Sequence, residues 1–178
     1  MDETDRRLFL HSLRESQQVF LRALDGVTEA EAVWKPAPDR WSIFEGAEHV
    51  AVAESGMFGG VRQGTPVTEP GLSDADREKR LRAAAADRSR KWVAPEPVRP
   101  SGRFASLSEA VEQFVERRER TIGWVEFCPE DLRSLSTMHP AAGSITCYEC
   151  LWLLIAHPVR HAEQIREIRE AWRFAAVK

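Results

Sequence analysis

The chain has 178 residues, and 43% of them are hydrophobic, which is enough to fill the core of one domain spanning residues 1–178. The formal net charge is -3 at pH 7. This slightly acidic balance excludes the usual nucleic-acid-binding domain, which carries clustered Lys and Arg to contact phosphates.

The N-terminus and the longest apolar run bear on location. "MDETDRR" has no apolar stretch behind it, unlike a signal or transit peptide. The run "LWLLIA" (151–156) is far shorter than the roughly 20 residues that span a bilayer. Three cysteines are too few, and odd in number, for a disulfide framework. We therefore expect a cytoplasmic protein with neither membrane nor nucleic acid as a partner.

Helical spacing of apolar residues begins near the N-terminus. It predicts a first helix from about Thr4 to Asp25. Thr28 and Glu31 then have the spacing of a capping box, in which a hydroxyl and a carboxylate each accept a backbone N–H, and they predict a short extra helix. The proline-bearing loop "KPAPDRW" (35–41) ends it.

A second long helix follows this loop. Ser42 and Glu45 repeat the capping-box spacing and predict a helix that continues to about Val61. The segment "DADREKRLRAAAADRSRKW" (74–92) mixes acidic and basic residues, which favours a solvated helix over a binding tail. A proline-rich connection, "APEPVRPSG" (94–102), comes next.

Two further capping boxes predict the last two long helices. One, at Ser106, starts a helix that continues until Pro129. After a predicted loop through "MHPAAGS" (138–144), the other, at Thr146, starts a helix that runs to about Phe174. Four long amphipathic helices are joined by three connections, two of which are long. This layout predicts an all-α four-helix bundle with long crossover connections and a short extra helix.

Two histidines stand four residues apart in "LLIAHPVRHAEQI" (153–165). At about 100° per residue, His157 and His161 share the inward stripe of the last helix. They can share one divalent metal ion, or they can be buried histidines bonded to hydroxyls or carboxylates, because HxxxH is a generic spacing. Pro158 removes one helical hydrogen bond, but the stripe keeps its phase, which favours a kinked, continuous helix.

A metal site needs a third ligand from a facing helix, and His49 is our candidate. Its side of the second long helix carries a row of small residues: Gly46, Val52, Ala53, Gly56 and Gly60. Such a face either admits a close helix or leaves a cavity beside the histidine. We expect His11 to be exposed, and His139 to be solvated or to line the mouth of the site.

Two polar side chains are candidates for orienting the imidazoles from behind. Glu45 lies one turn before His49, and Gln164 lies about one turn beyond His161. For Glu45, the alternative that it only closes the capping box is favoured.

Other polar groups fall within the predicted core. Cys147 and Cys150 form a CxxC, but at 1.5 Å per residue Cys150 lies about 10 Å along the helix from His157. Core packing is therefore favoured over a metal or redox role. Glu54 and Arg118 interrupt apolar stripes on two different helices, which suggests that they form a buried ion pair.

Two blocks, "PAPDRWSIFEGAEHVAVAE" (36–54) and "HPAAGSITCYECLWLLIAHPVRHAEQI" (139–165), resemble the DinB-like superfamily, including its YfiT-type branch. The resemblance implies a four-helix bundle with a divalent metal bound by His49, His157 and His161, and frequent dimers. For characterised branches it implies transfer of low-molecular-weight thiols such as bacillithiol or mycothiol, or isomerisation that depends on them. Many other members are described as metal-dependent hydrolases. Pro158 departs from the usual pattern.

Three functions remain open on the sequence. A metal-held thiolate could attack an electrophilic small molecule, metal-held water could make the protein a hydrolase, or a metal-stabilised bundle could bind a ligand or protein without catalysis. No strong general base is obvious, which favours thiol transfer. All-imidazole ligands suit Zn, Ni, Fe or Cu, of which we expect Zn, Ni or Fe. The expected partner is a small-molecule substrate, with a low-molecular-weight thiol as the candidate, and the resemblance implies a second copy in a homodimer.

Overall fold

The computed structural model describes residues 1–69, 75–87 and 92–176. Within these ranges the helices are α1 (Glu3–Leu24), α2 (Glu29–Val33), α3 (Ile43–Arg62), α4 (Ala75–Ala86), α5 (Leu107–Phe127) and α6 (Cys147–Ala176), with a 3-10 turn at Glu96–Val98. The strands in the same ranges are β1 (Thr65–Pro66), β2 (Leu135–His139) and β3 (Gly143–Thr146). The predicted charged helix matches α4, although one side of α4 packs against α6 instead of being solvated. Residues 74 and 88–91 of the predicted segment lie outside the described residues.

Helices α1, α3, α5 and α6 form the bundle, and α1 and α3 each pack against both α5 and α6. Helices α1 and α3 therefore occupy opposite corners, as do α5 and α6, so the α1–α3 and α5–α6 connections cross the bundle. Within the described ranges, the core has two apolar clusters, one around Phe9 and Leu151 and one around Phe20 and Ile165. This architecture confirms the predicted four-helix bundle with crossovers. No helix among the described residues combines the length and apolarity needed to cross a membrane.

Side-chain caps fix the start of the helices that carry the histidines. At α3, the Ser42 hydroxyl accepts the Glu45 N–H at 3.2 Å, and the Glu45 carboxylate accepts the Ser42 N–H at 2.9 Å. At α6, Thr146 and Glu149 make the same reciprocal bonds at 3.0 and 2.8 Å. These bonds satisfy N–H groups that a helix start leaves without intrahelical partners, as the capping-box spacing predicts.

The predicted loop at 138–144 is wrong for its outer residues, because a β-hairpin occupies this region. Strand β2 pairs antiparallel with β3, with His139 opposite Gly143, and β1 pairs with β2. Gly143 has φ +72°, a conformation that favours glycine. The strands are short and only partly buried, and β2 packs on α3 and α6. Contacts with distant helices, rather than local alternation, therefore stabilise them.

A buried ion pair lies within the bundle, as predicted. Arg118 donates from Nε and Nη2 to the two carboxylate oxygens of Glu54 at 2.9 and 2.8 Å. It also donates to the Leu13 carbonyl and the Ser16 hydroxyl of α1, at 3.0 and 2.7 Å. A further bond, from Nη2 to the Leu154 carbonyl of α6, measures 3.1 Å. One guanidinium therefore links all four bundle helices.

Helix α6 passes through Pro158 without ending, as predicted. A proline has no N–H to donate to the carbonyl four residues earlier, which here belongs to Leu154. The guanidinium of Arg118 donates to that same carbonyl oxygen. A side chain of α5 therefore replaces the hydrogen bond that the proline removes.

Candidate metal centre

Helices α3 and α6 bring the three predicted histidines together. His49 lies on α3, and His157 and His161 lie one turn apart on α6. One nitrogen from each ring lies within 4.8 Å of the others. The Nε2 atoms of His49 and His157 face each other at 3.0 Å.

The spacing of these nitrogens fits one metal ion. Metal–nitrogen bonds of about 2.0–2.1 Å at tetrahedral angles place two ligand nitrogens about 3.4 Å apart. That separation lies between the 3.0 Å of the His49–His157 pair and the 4.8 Å limit of the cluster. Imidazole is a common ligand of divalent transition metals, so the donor chemistry fits as well.

Two of the imidazoles are oriented by hydrogen bonds at Nδ1, the ring nitrogen that does not face the candidate metal site. His49 Nδ1–H donates to the Val98 carbonyl oxygen at 2.7 Å. Because a carbonyl can only accept, this bond puts the proton on Nδ1 and leaves the Nε2 lone pair free for a metal. His161 Nδ1 lies 3.0 Å from the amide oxygen of Gln164, the position predicted for an orienting side chain.

Glu45, the other predicted orienting residue, has different partners. Its carboxylate accepts the Ser42 N–H and the Lys35 ammonium, the latter at 2.7 Å. The favoured alternative, closure of the capping box, therefore describes its contacts. At His49 the Val98 carbonyl holds Nδ1 instead. Sequence reasoning missed Val98 because a backbone carbonyl from a distant connection leaves no side-chain signal.

Burial favours the neutral imidazoles that metal binding requires. Burial lowers the pKa of His49, and the bond to the Val98 carbonyl opposes this only in part. Burial also lowers the pKa of His157 to well below its ordinary value, and the nearby His161 and His49 lower it further. Both rings are therefore neutral at neutral pH.

The histidines open onto a cavity of about 790 Å³, a size typical of small-molecule sites. Ala53, Gly56 and Gly60 of α3 form one wall. A Cβ at Gly56 would meet nothing within 4 Å, whereas a Cβ at Gly60 would lie 2.8 Å from Thr137 Oγ1 of β2. The small residues therefore leave a cavity at Gly56 and admit a close neighbour, a strand rather than a helix, at Gly60.

His139 lines the cavity, one of the two positions predicted for it. Its Nδ1 accepts the backbone N–H groups of Ala141 and Ala142, both at 3.2 Å. These bonds occupy the lone pair of the neutral ring and leave Nε2–H as a donor. Burial lowers the pKa of His139, which favours this neutral form. His11 is exposed on α1, as predicted.

Cys147 and Cys150 pack in the core, as favoured from the sequence. Their thiols donate to the carbonyls of Val61 and Met57 on α3, at 3.6 and 3.8 Å. Burial raises the pKa of Cys147 to about 11 and that of Cys150 to about 12. Both thiols are therefore protonated and weakly nucleophilic at neutral pH.

Comparisons with known proteins show the family and the fold of this chain. The sequence model of the DinB superfamily matches residues 12–165. The uncharacterized protein YuaE of Bacillus subtilis is 24% identical over 150 residues, which are 83% of this chain and 88% of that protein. The solved structure of YfiT from Bacillus subtilis, described as a probable metal-dependent hydrolase with an unusual four-helix bundle topology, aligns with a TM-score of 0.61 at 13% identity. The alignment covers 96% of this chain and 89% of YfiT, which shows a shared fold.

Proposed function

The chain belongs to the DinB superfamily, and from that membership we propose that it is a divalent-metal-dependent enzyme acting on a small molecule. The observation that carries the proposal is the convergence of His49, His157 and His161, with ligand nitrogens within 4.8 Å of one another, beside a cavity of about 790 Å³. A bound divalent metal would act as a Lewis acid that favours the deprotonated form of a coordinated thiol or water at neutral pH.

Within this function we propose transfer of a low-molecular-weight thiol to an electrophilic small molecule. The cavity volume lies in the upper part of the usual range of about 300–1,000 Å³, which supports a site for two reactants. The groups that hold His49 and His161 from behind, the Val98 carbonyl and the Gln164 amide, are not general bases. His139 has its lone pair bonded to backbone N–H groups and can only donate. None of these three groups can act as a base, which suits a reaction whose nucleophile needs no protein base, whereas hydrolysis could use one of the carboxylates of Asp39 and Glu167, which also line the cavity.

The other residues of the cavity have roles in binding. Trp41 lies beside two imidazoles, with its ring centroid 4.9 Å from that of His49 and 6.5 Å from that of His161. Its ring therefore limits the directions from which water can reach the histidines. In our proposal, His139 Nε2–H donates to a polar group of the substrate and orients it.

Hydrolysis is the second candidate, because YfiT, which shares the fold, is described as a probable metal-dependent hydrolase. It would use the same histidines and the same cavity, and it would differ in the nucleophile. The two candidates therefore separate by which co-reactant is consumed, water or thiol.

Metal analysis and a thiol assay test the proposal. Purified protein reconstituted with Zn²⁺, Ni²⁺ or Fe²⁺ should hold one equivalent of metal, and the His157→Ala variant should lose most of it. The His11→Ala variant is the matched control, because His11 is exposed on α1 and distant in sequence from the other histidines. Loaded wild type should then consume thiol in the presence of monochlorobimane, with bacillithiol, mycothiol and glutathione as the thiols compared.

Each outcome of this experiment decides between named functions. Wild type that holds no stoichiometric metal after reconstitution overturns the metal-dependent function. Metal retention with ester or amide hydrolysis, and without thiol consumption, favours the hydrolase. Metal retention with neither hydrolysis nor thiol consumption favours a non-catalytic bundle that binds a ligand or a protein.

A further inference from the structure

Glu48, the residue before His49 on α3, is a buried carboxylate, 1% exposed. It accepts three backbone N–H groups in a row, from Ser101 at 2.8 Å, Gly102 at 3.0 Å and Arg103 at 3.3 Å. The guanidinium of Arg103 also donates to it at 2.9 Å. These four bonds come from the connection between α4 and α5, so Glu48 attaches that connection to α3.

Arg103 extends the attachment to both neighbours of Val98. Its Nη1 donates to the Arg99 carbonyl at 2.6 Å, and its Nη2 donates to the Pro97 carbonyl at 3.1 Å. The Val98 carbonyl between them accepts from His49 Nδ1–H. The contacts therefore form a closed ring that leaves α3 at Glu48 and returns to it at His49.

We propose that Glu48 and Arg103 are positioning residues for His49. We call this pair, with the segment 97–103 that it holds, the Glu48 clamp. The clamp fixes the Val98 carbonyl where it keeps the proton of His49 on Nδ1, and so it aims the Nε2 lone pair at the candidate metal site. The role of the clamp in metal binding rests on the proposed function, but its effect on His49 exists without metal.

Val98 needs to be held by a clamp because the segment around it has little regular secondary structure. Val98 ends a 3-10 turn of only three residues, whose backbone bonds do not use the Val98 carbonyl, and the rest of the described connection, 92–106, has no helix or strand. A hydrogen bond at 2.7 Å is lost when its acceptor moves by about 1 Å, because the interaction weakens steeply with distance and angle. Bonds to α3 and to the carbonyls on either side of Val98 limit that movement.

The clamp also holds one wall of the cavity. The same connection contributes a row of lining residues: Trp92, Val93, Ala94, Pro95, Pro97 and Val98. Pro97 and Val98 belong to the clamp, so the clamp that positions a candidate metal ligand also forms part of this wall.

Glu48→Gln and Arg103→Met test the proposal, with Glu45→Gln as the matched control. Glu45 lies on the same helix, and its change removes the same charge, but its partners are Lys35 and Ser42. In metal-free protein, ring 15N chemical shifts should show His49 protonated at Nδ1 in wild type and in the control. In the two clamp variants, the same shifts should show a mixture of tautomers.

Metal affinity gives the second measurement. Competition with a chelator should show Co²⁺ and Zn²⁺ binding weakened about tenfold or more in both clamp variants, as for other groups that orient metal ligands. The visible spectrum of bound Co²⁺ should change as well. The double variant should bind metal no more weakly than the single variant with the lower affinity, because both residues act through one clamp. Arg103→Lys should be intermediate, since one ammonium cannot reach all the partners of the planar fork.

The outcomes separate the clamp from the proposed function. Wild-type tautomer and wild-type affinity in both clamp variants overturn the clamp and leave the metal site standing. If wild type binds no metal, the metal-dependent function is overturned. The clamp is still supported if the His49 tautomer differs between wild type and Glu48→Gln as expected. Arg103 is partly exposed, so its variants keep the test open if Glu48→Gln does not fold.

Discussion

Arg118 and Glu54 make two parallel hydrogen bonds within the bundle, and both side chains are almost completely buried, at 0% and 2% exposure. Arg118→Met should destabilise the protein by about 3–5 kcal/mol, because it leaves the Glu54 carboxylate buried without its counter-charge. Urea unfolding followed by circular dichroism measures the change. Arg120→Met is the control, because Arg120 pairs with Glu116 on the exposed side of α5 and its loss should change stability little. Equal stability of the two variants would contradict the prediction.

Pro158→Ala should couple energetically to Arg118→Met. Alanine restores an N–H that can donate to the Leu154 carbonyl, which in wild type accepts a hydrogen bond from Arg118. The proline-to-alanine change should therefore stabilise the Arg118→Met variant more than it stabilises wild type. A double-mutant cycle from urea unfolding should give a coupling of about 0.5–3 kcal/mol, whereas additive effects would mean that the two residues act independently.

Gly56→Leu should block the cavity without displacing the histidines. A side chain at Gly56 enters open space, and Gly56 lies on the cavity wall. In the thiol-transfer assay the change should raise KM by about tenfold or more, while metal content stays at the wild-type value. Gly46→Ala is the control, since a Cβ at Gly46 also meets nothing within 4 Å but Gly46 is not among the lining residues. Loss of metal in Gly56→Leu would show that the site, rather than the cavity, was disturbed.

The cysteine thiols should react slowly with a disulfide reagent in the native protein. Cys128, Cys147 and Cys150 are buried, and burial raises the pKa of each thiol. At pH 8 the thiolate fractions are therefore small. Titration with dithionitrobenzoate should release thionitrobenzoate slowly from native protein and at once from three thiols per chain in guanidinium chloride. Fast reaction of the native protein would place at least one thiol in an accessible, ionised state.

The sequence predicted the features that depend on neighbours along the chain. Ser42 and Thr146 mark helix starts because a capping box needs only residues three apart. The shared face of His157 and His161 follows from helical periodicity, and the small residues around Gly56 indicated either a close helix or a cavity beside His49. These local signals predicted the helices, and together with the family resemblance they predicted the three candidate metal ligands.

What the sequence did not predict depends on contacts between distant segments. The β-hairpin at 135–146 is stabilised by packing on α3 and α6, and not by an alternating pattern of apolar and polar residues in its own sequence. The Val98 carbonyl and the Glu48 clamp arise where the α4–α5 connection meets α3, and a carboxylate beside a histidine does not reveal such partners in the sequence. The homodimer and the cytoplasmic location stay predictions.

The bond from Arg118 to the Leu154 carbonyl also sets an order in which these positions could have changed during evolution. A proline at 158 removes a helical hydrogen bond, so an ancestor without an arginine at 118 would have lost stability by acquiring it. The arginine, held by Glu54, is expected to have come first. With proline at 158, replacement of the arginine alone leaves the Leu154 carbonyl without either donor, so it should cost more stability than in a chain whose residue 158 keeps its N–H.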